Sequence, residues 1–172
     1  MLRPRIAEPP GGVKAAEADA ILASVRLLAL DVGDARIGVA LSDETGTLAS
    51  GLVTLKAVGP RRDAQAVASL VREHGAGEVV VGLPLRLDGS LGSRGEQVMA
   101  FVERLRRVLR VPVVTRDERL TSVAADERLA EAGVRRHDRK ALLDQAAATL
   151  VLQEHLEARR TAAVPATGGK PA

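Results

Sequence analysis

The rhythm of apolar and polar positions changes twice along this chain. Leu27 to Leu30 form an unbroken apolar run that closes on Asp31, Val32 and Gly33, the pattern of a strand ending in a turn. Arg36 to Ser42 and Leu48 to Leu55 have strand-like spacing. The tight-turn pairs Gly33-Asp34 and Thr45-Gly46 separate these segments, so an antiparallel meander is predicted. After Gly59-Pro60 the period lengthens to that of a helix, with Ala64, Val67, Ala68 and Val71 on one face and a stop near His74-Gly75. Glu78 to Gly82 is a β-branched run of the kind found in buried parallel strands. A helix from about Gly95 to Leu109 turns Val98, Phe101, Val102 and Leu105 inward, and a strand covers Val111 to Thr115. Helices follow near Ser122 to Ala132 and Arg139 to Arg159. Three antiparallel strands, then helix, strand, helix and strand, predict an α/β fold built on a mixed five-stranded sheet flanked by helices.

The ordered body is expected over residues 25–160. Residues 1–24 read as a mostly flexible extension, because Pro4, Pro9, Pro10, Gly11 and Gly12 resist regular structure, and residues 161–172 read as a disordered tail. A chain of 172 residues supports one substantial core, and with 46% hydrophobic but 1% aromatic residues that core must be Ala, Val and Leu around Phe101. The scarcity of rings also changes the functional picture. Bases cannot stack on an aromatic platform, so any grip on nucleic acid falls to Arg, Lys and backbone amides acting on phosphates.

The net charge of +3 is modest, and its distribution matters more. Arg104, Arg106, Arg107 and Arg110 end one helix, where they suit its C-terminal dipole as well as they suit phosphates. Arg135, Arg136, His137, Arg139 and Lys140 lead straight into Asp144 and read as phosphate contacts. The absence of cysteine excludes disulfides and thiolate chemistry, and the three histidines show no zinc spacing. No apolar run is long enough to cross a bilayer and the first residues lack the apolar core of a signal peptide, so a cytoplasmic protein without membrane contact is expected.

Three acids stand out among the 22 acidic residues because of where they sit. Asp31 and Glu118 each follow a short apolar strand, and Asp144 lies in a helix whose Ala146-Ala147-Ala148 stretch allows close approach to a sheet. If the fold joins them, they form a carboxylate cluster suited to a hard divalent cation and hence to phosphodiester chemistry. Glu118 has a plainer alternative, a surface ion pair with Arg116 or Arg119.

In four blocks the chain resembles the YqgF or RuvX family of pre-16S rRNA nucleases, a branch of the ribonuclease H-like superfamily. They are LDVGDARIGVALSD (30–43), VVVGLPLRLDGSLGSRG (79–95), TRDERLTSVAA (115–125) and KALLDQAAATLVLQEHL (140–156), and the likeness runs from Leu27 to Glu157. The resemblance implies a ribonuclease H-like fold, a nuclease dependent on Mg²⁺ or Mn²⁺, and a role in maturing the 5′ end of 16S ribosomal RNA. It places the catalytic and metal-binding acids at Asp31, Glu118 and Asp144. The rigid mount of a strand tip in the sheet centre makes Asp31 the expected bridging ligand, and Asp117 is a further ligand or a supporting partner. Substrate contacts are expected from Arg36, Arg119, Lys140, Gly89 and Ser90. For Arg36 the competing role is an ion pair with Asp34 or Asp43, and for Lys140 a pair with Asp144. The loop around Gly89 and Ser90 is either a phosphate seat with open amides or a plain connection. A Holliday-junction resolvase acting on branched DNA is the rival within the superfamily; symmetric cutting would make it a homodimer rather than a monomer. A non-catalytic RNA-binding module is the rival outside it. An actin-like ATPase is disfavoured, because its second phosphate hairpin and second lobe are missing.

Overall fold

The computed structural model of the protein describes residues 25–118 and 136–163, with the side chains of 136–141 left out of that description. Its elements are β1 (Arg26–Val32), β2 (Arg36–Ser42), β3 (Ala49–Lys56), α1 (Pro60–His74), β4 (Ala76–Leu83), α2 (Ser93–Val108), β5 (Val113–Asp117) and α3 (Arg136–Ala163). The strands form one sheet in the order β3-β2-β1-β4-β5. β1 pairs antiparallel with β2 and parallel with β4, so the strand bearing Asp31 is the central one. The mixed sheet predicted from the periodicity is therefore the one observed. α3 continues to Ala163, past the boundary expected at residue 160. The extension 1–24, the helix expected near Ser122 to Ala132, Arg119 and the side chain of Lys140 lie outside the described residues.

Alternation along the strands sorts the core into two layers. Leu28 and Leu30 of β1, with Val79 and Val81 of β4, meet α1 through Ala64, Val67 and Val71 and α2 through Val98, Phe101, Val102 and Leu105. Leu27 and Ala29, with Ala40 and Val80, meet Ala148, Val151, Leu152 and Leu156 of α3. Asp31 shares the parity of Leu27 and Ala29, so its side chain leaves the sheet on the α3 face. The small residues on this face let the helix lie close: a Cβ built on Gly38 would stand 1.9 Å from the carbonyl oxygen of Asp144. Polar contacts pin α3 along its length. Gln145 Nε2 donates to Thr54 Oγ1 at 3.1 Å, the Ala49 N–H donates to Gln153 Oε1 at 3.0 Å, and the Glu78 carboxylate lies 2.8 Å from His155 Nε2 and 3.0 Å from Arg159 Nη1.

Candidate active site

The acids sit where the central strands end, and two glycines make room for them. Asp31 pairs with Gly38 across β1 and β2. Leu30 pairs with Val81 of β4, which sets Asp31 level with Gly82. Gly82 carries no side chain between β1 and β5. A Cβ there would stand 2.9 to 3.2 Å from the Glu118 carboxylate. Glu118 follows β5, held by its N–H donating to the Leu83 carbonyl at 3.1 Å, and is buried. Across the gap left by Gly82 its carboxyl hydrogen-bonds that of Asp31.

A buried carboxyl in contact with a half-buried one cannot ionise beside it without cost. Burial raises the Asp31 pKa, and the charge of Asp144 adds to this, while the hydrogen bond from Glu118 and the charge of Arg94 act the other way. Glu118 is pushed up to about 8, by burial first and then by the charge and hydrogen bond of Asp31. The pair titrates as a unit holding one proton, with Glu118 donating to Asp31. Between the ordinary glutamate pKa of 4.5 and about 8, the folded protein keeps a proton that the unfolded chain releases. Stability is therefore full below the unfolded pKa and is lost as pH rises through this window. Thermal melting in EDTA should show the midpoint falling by several degrees between about pH 5 and about pH 8. A flat or rising profile would contradict the shared proton.

The surroundings of the pair suit a dication, because the two acidic oxygens face each other in a niche where a positive charge would replace the proton and relieve the repulsion. Asp144 is not joined to them in the same way. Its Oδ2 accepts from Arg36 Nε at 2.8 Å, and among the described residues no three acidic or histidine side chains converge to hold a metal ion. Arg36 thus pairs with neither expected partner. Asp34 takes Arg94, and Asp43 accepts from Thr45, Thr47 and Leu48. Glu118 meets Asp31, and Arg119, one of the two ion-pair partners considered for it, lies outside the described residues. At Gly89 and Ser90 the amides close their own turn, as in a plain connection: Gly89 N donates to the Arg86 carbonyl at 2.8 Å and Ser90 N to Asp88 Oδ1 at 2.9 Å.

One residue of this site escaped the sequence reading. Arg94, near the start of α2, ion-pairs with Asp34, donates from Nη2 to the Val32 carbonyl at 2.6 Å, and acts through its charge on both Asp31 and Glu118. A signal existed: a cation in the first turn of a helix opposes the helix dipole and calls for a separate reason to be there.

The chain as a whole is similar to known proteins. A family model described as RuvX: Holliday junction resolvase matches residues 25–158. A relative from Thermoanaerobacter pseudethanolicus, whose name is that of a pre-16S rRNA nuclease, is 42% identical over 137 residues, spanning 79% of this chain and 99% of its own. A relative of the same name from Chloroflexus aurantiacus is 46% identical over 135 residues, spanning 78% and 88%. Among solved structures, T. thermophilus RuvC in complex with a Holliday junction substrate superposes with a TM-score of 0.53 at 17% identity, over 80% of this chain and 96% of that one. That likeness supports the ribonuclease H-like architecture alone. The extent of the model match and the identity with full-length relatives make this chain a member of the RuvX family.

Proposed function

We propose that the protein is a divalent-metal-dependent nuclease that hydrolyses phosphodiester bonds in the 5′ leader of precursor 16S ribosomal RNA, acting in the cytoplasm during ribosome assembly. The observation that carries this is the contact of Asp31 with Glu118 across Gly82, a largely desolvated acid pair at the end of the central strands. Asp31 and Glu118 would hold Mg²⁺ or Mn²⁺, and Asp144 would join them by exchanging Arg36 for the cation. When bound, the cation supplies Lewis-acid polarisation of the phosphoryl group and lowers the pKa of a water. The chain's own groups do the rest. β1 and the Leu83 carbonyl fix the two carboxylates, and α3 brings Asp144 within electrostatic reach of Asp31. Arg36 and Arg94 balance the negative charge and offer hydrogen bonds to substrate phosphate. The RNA substrate follows the names of the relatives.

A second reading, a resolvase of branched DNA working as a homodimer, is favoured by the family model's own description. One assay separates them: cleavage of a labelled 16S leader beside a four-way DNA junction, in Mn²⁺, Mg²⁺ or EDTA, with Asp144→Asn as control. Cutting of the RNA alone, dependent on metal and on Asp144, is the expected result. Symmetric junction cutting would give the resolvase, and no cutting of either would leave an RNA-binding module.

A further inference from the structure

Around the end of β1 from the acid pair, on the face covered by α1 and α2, lies a cleft of about 290 Å³. Val32, Ile37 and Val98 form its apolar floor, and Ala57, Gln97 and Arg94 stand at its rim. Taking the chain as a nuclease, we propose that this cleft receives one unstacked nucleobase of the strand being cut, from the nucleotide beside the acid pair, while Arg94 holds the intervening phosphate.

Four observations carry the proposal. The volume is at the small end of ligand sites, enough for one base and part of its sugar but not for a folded ligand. Phe101 is the chain's one Phe, Tyr or Trp ring and is buried in the lining of this cleft, so a base displaced near the cut meets an apolar wall and not an exposed platform of that kind. Gln97 is exposed on α2 and supplies both a donor and an acceptor to a base edge. Arg94 is fixed at the turn between the acids and the cleft by the Val32 carbonyl. Its ion-pair partner Asp34 has a side chain 86% exposed, so that pair contributes little and Asp34 can swing into water when a phosphate arrives. The other polar wall is already occupied: Asp63 accepts from the N–H groups of Val58 and Gly59 at 3.0 and 3.2 Å, which closes the start of α1 to anions. Arg94 is thus the group at the rim suited to a phosphate.

The test uses single-stranded oligonucleotides, in RNA and DNA forms, whose cut site has been mapped with the wild-type protein. In an Asp31→Asn background, 2-aminopurine is placed in turn at each position near the cut. Binding should change its emission severalfold at one position, and Ala57→Leu, which fills the cleft, should abolish that change. In cleavage, an abasic site at that position and Ala57→Leu should each slow the wild-type reaction about tenfold, with no further loss when combined. Should Ala57→Leu fail to fold, Gln97→Leu on the exposed face of α2 carries the same test. No responsive position, or losses that multiply, would overturn the cleft. The nuclease reading fails separately, if the intact strand is not cut in an Asp31-dependent way. A response in RNA, in DNA or in both supports the cleft and identifies the sugar it accepts.

Discussion

Replacing Asp31 with Asn is expected to lower cleavage by roughly a thousandfold or more, while substrate binding is kept or strengthened and the metal-free protein melts at a higher temperature. All three effects have one electrostatic origin. Asp31 is the acid on the central strand; in the proposed reading its carboxylate would anchor a cation, and it raises the cost of ionising Glu118. An amide of the same shape cannot supply the charge a hard cation requires, so chemistry is lost. The same change removes a negative group from the path of a polyanion, so binding does not fall with activity. It also frees Glu118 to ionise without a charged neighbour, which removes part of the stability loss expected as pH rises. Calorimetry in EDTA at about pH 8, beside gel-shift and cleavage assays, would measure the three together. Cleavage at the wild-type rate would remove Asp31 from the chemistry. A lowered melting temperature would mean that the acid pair stabilises the fold and is not held at a cost.

The parts of this molecule that follow from periodicity were legible in the chain. The bounds of β2 and the buried faces of α1 and α2 match because each rests on local spacing that burial enforces. The positions of Asp31 and Glu118 were legible for a related reason: an acid at the end of a strand is held at a fixed height in the sheet. What local pattern cannot convey is pairing across long stretches of chain. Arg36 is separated from Asp144 by 108 positions, and Asp34 and Asp43 were nearer candidates in sequence. Arg94 was hidden among many arginines, and its contact with the Val32 carbonyl depends on how α2 meets the end of β1. Gly82 was legible as the end of a strand but not as the gap that joins two acids, since that role depends on the register of three strands.

Gly38→Ala should be the most damaging single-methyl change on the α3 face, costing about 3 kcal/mol or more and lowering activity with it. The added Cβ would stand 1.9 Å from the Asp144 carbonyl oxygen and 2.2 Å from its carbonyl carbon. Both sides of the clash are backbone, so no rotamer relieves it and α3 must move off the sheet. That movement loosens the contacts of Ala148, Val151 and Leu152 and shifts Asp144 away from Asp31 at the same time. The entropy an alanine removes from the unfolded chain, under about 1 kcal/mol, is too small to offset this. Gly51→Ala on neighbouring β3 is the matched control. Its Cβ would meet the Gln145 side chain, at 2.9 Å from Oε1 and 3.2 Å from Cβ, and a glutamine tip can turn aside. Urea unfolding should therefore separate the two variants by about 2 kcal/mol or more, with cleavage lost only in Gly38→Ala. Equal, small effects would mean that α3 has freedom to slide on the sheet, and the close seat of Asp144 against β2 would no longer explain how the third acid is placed.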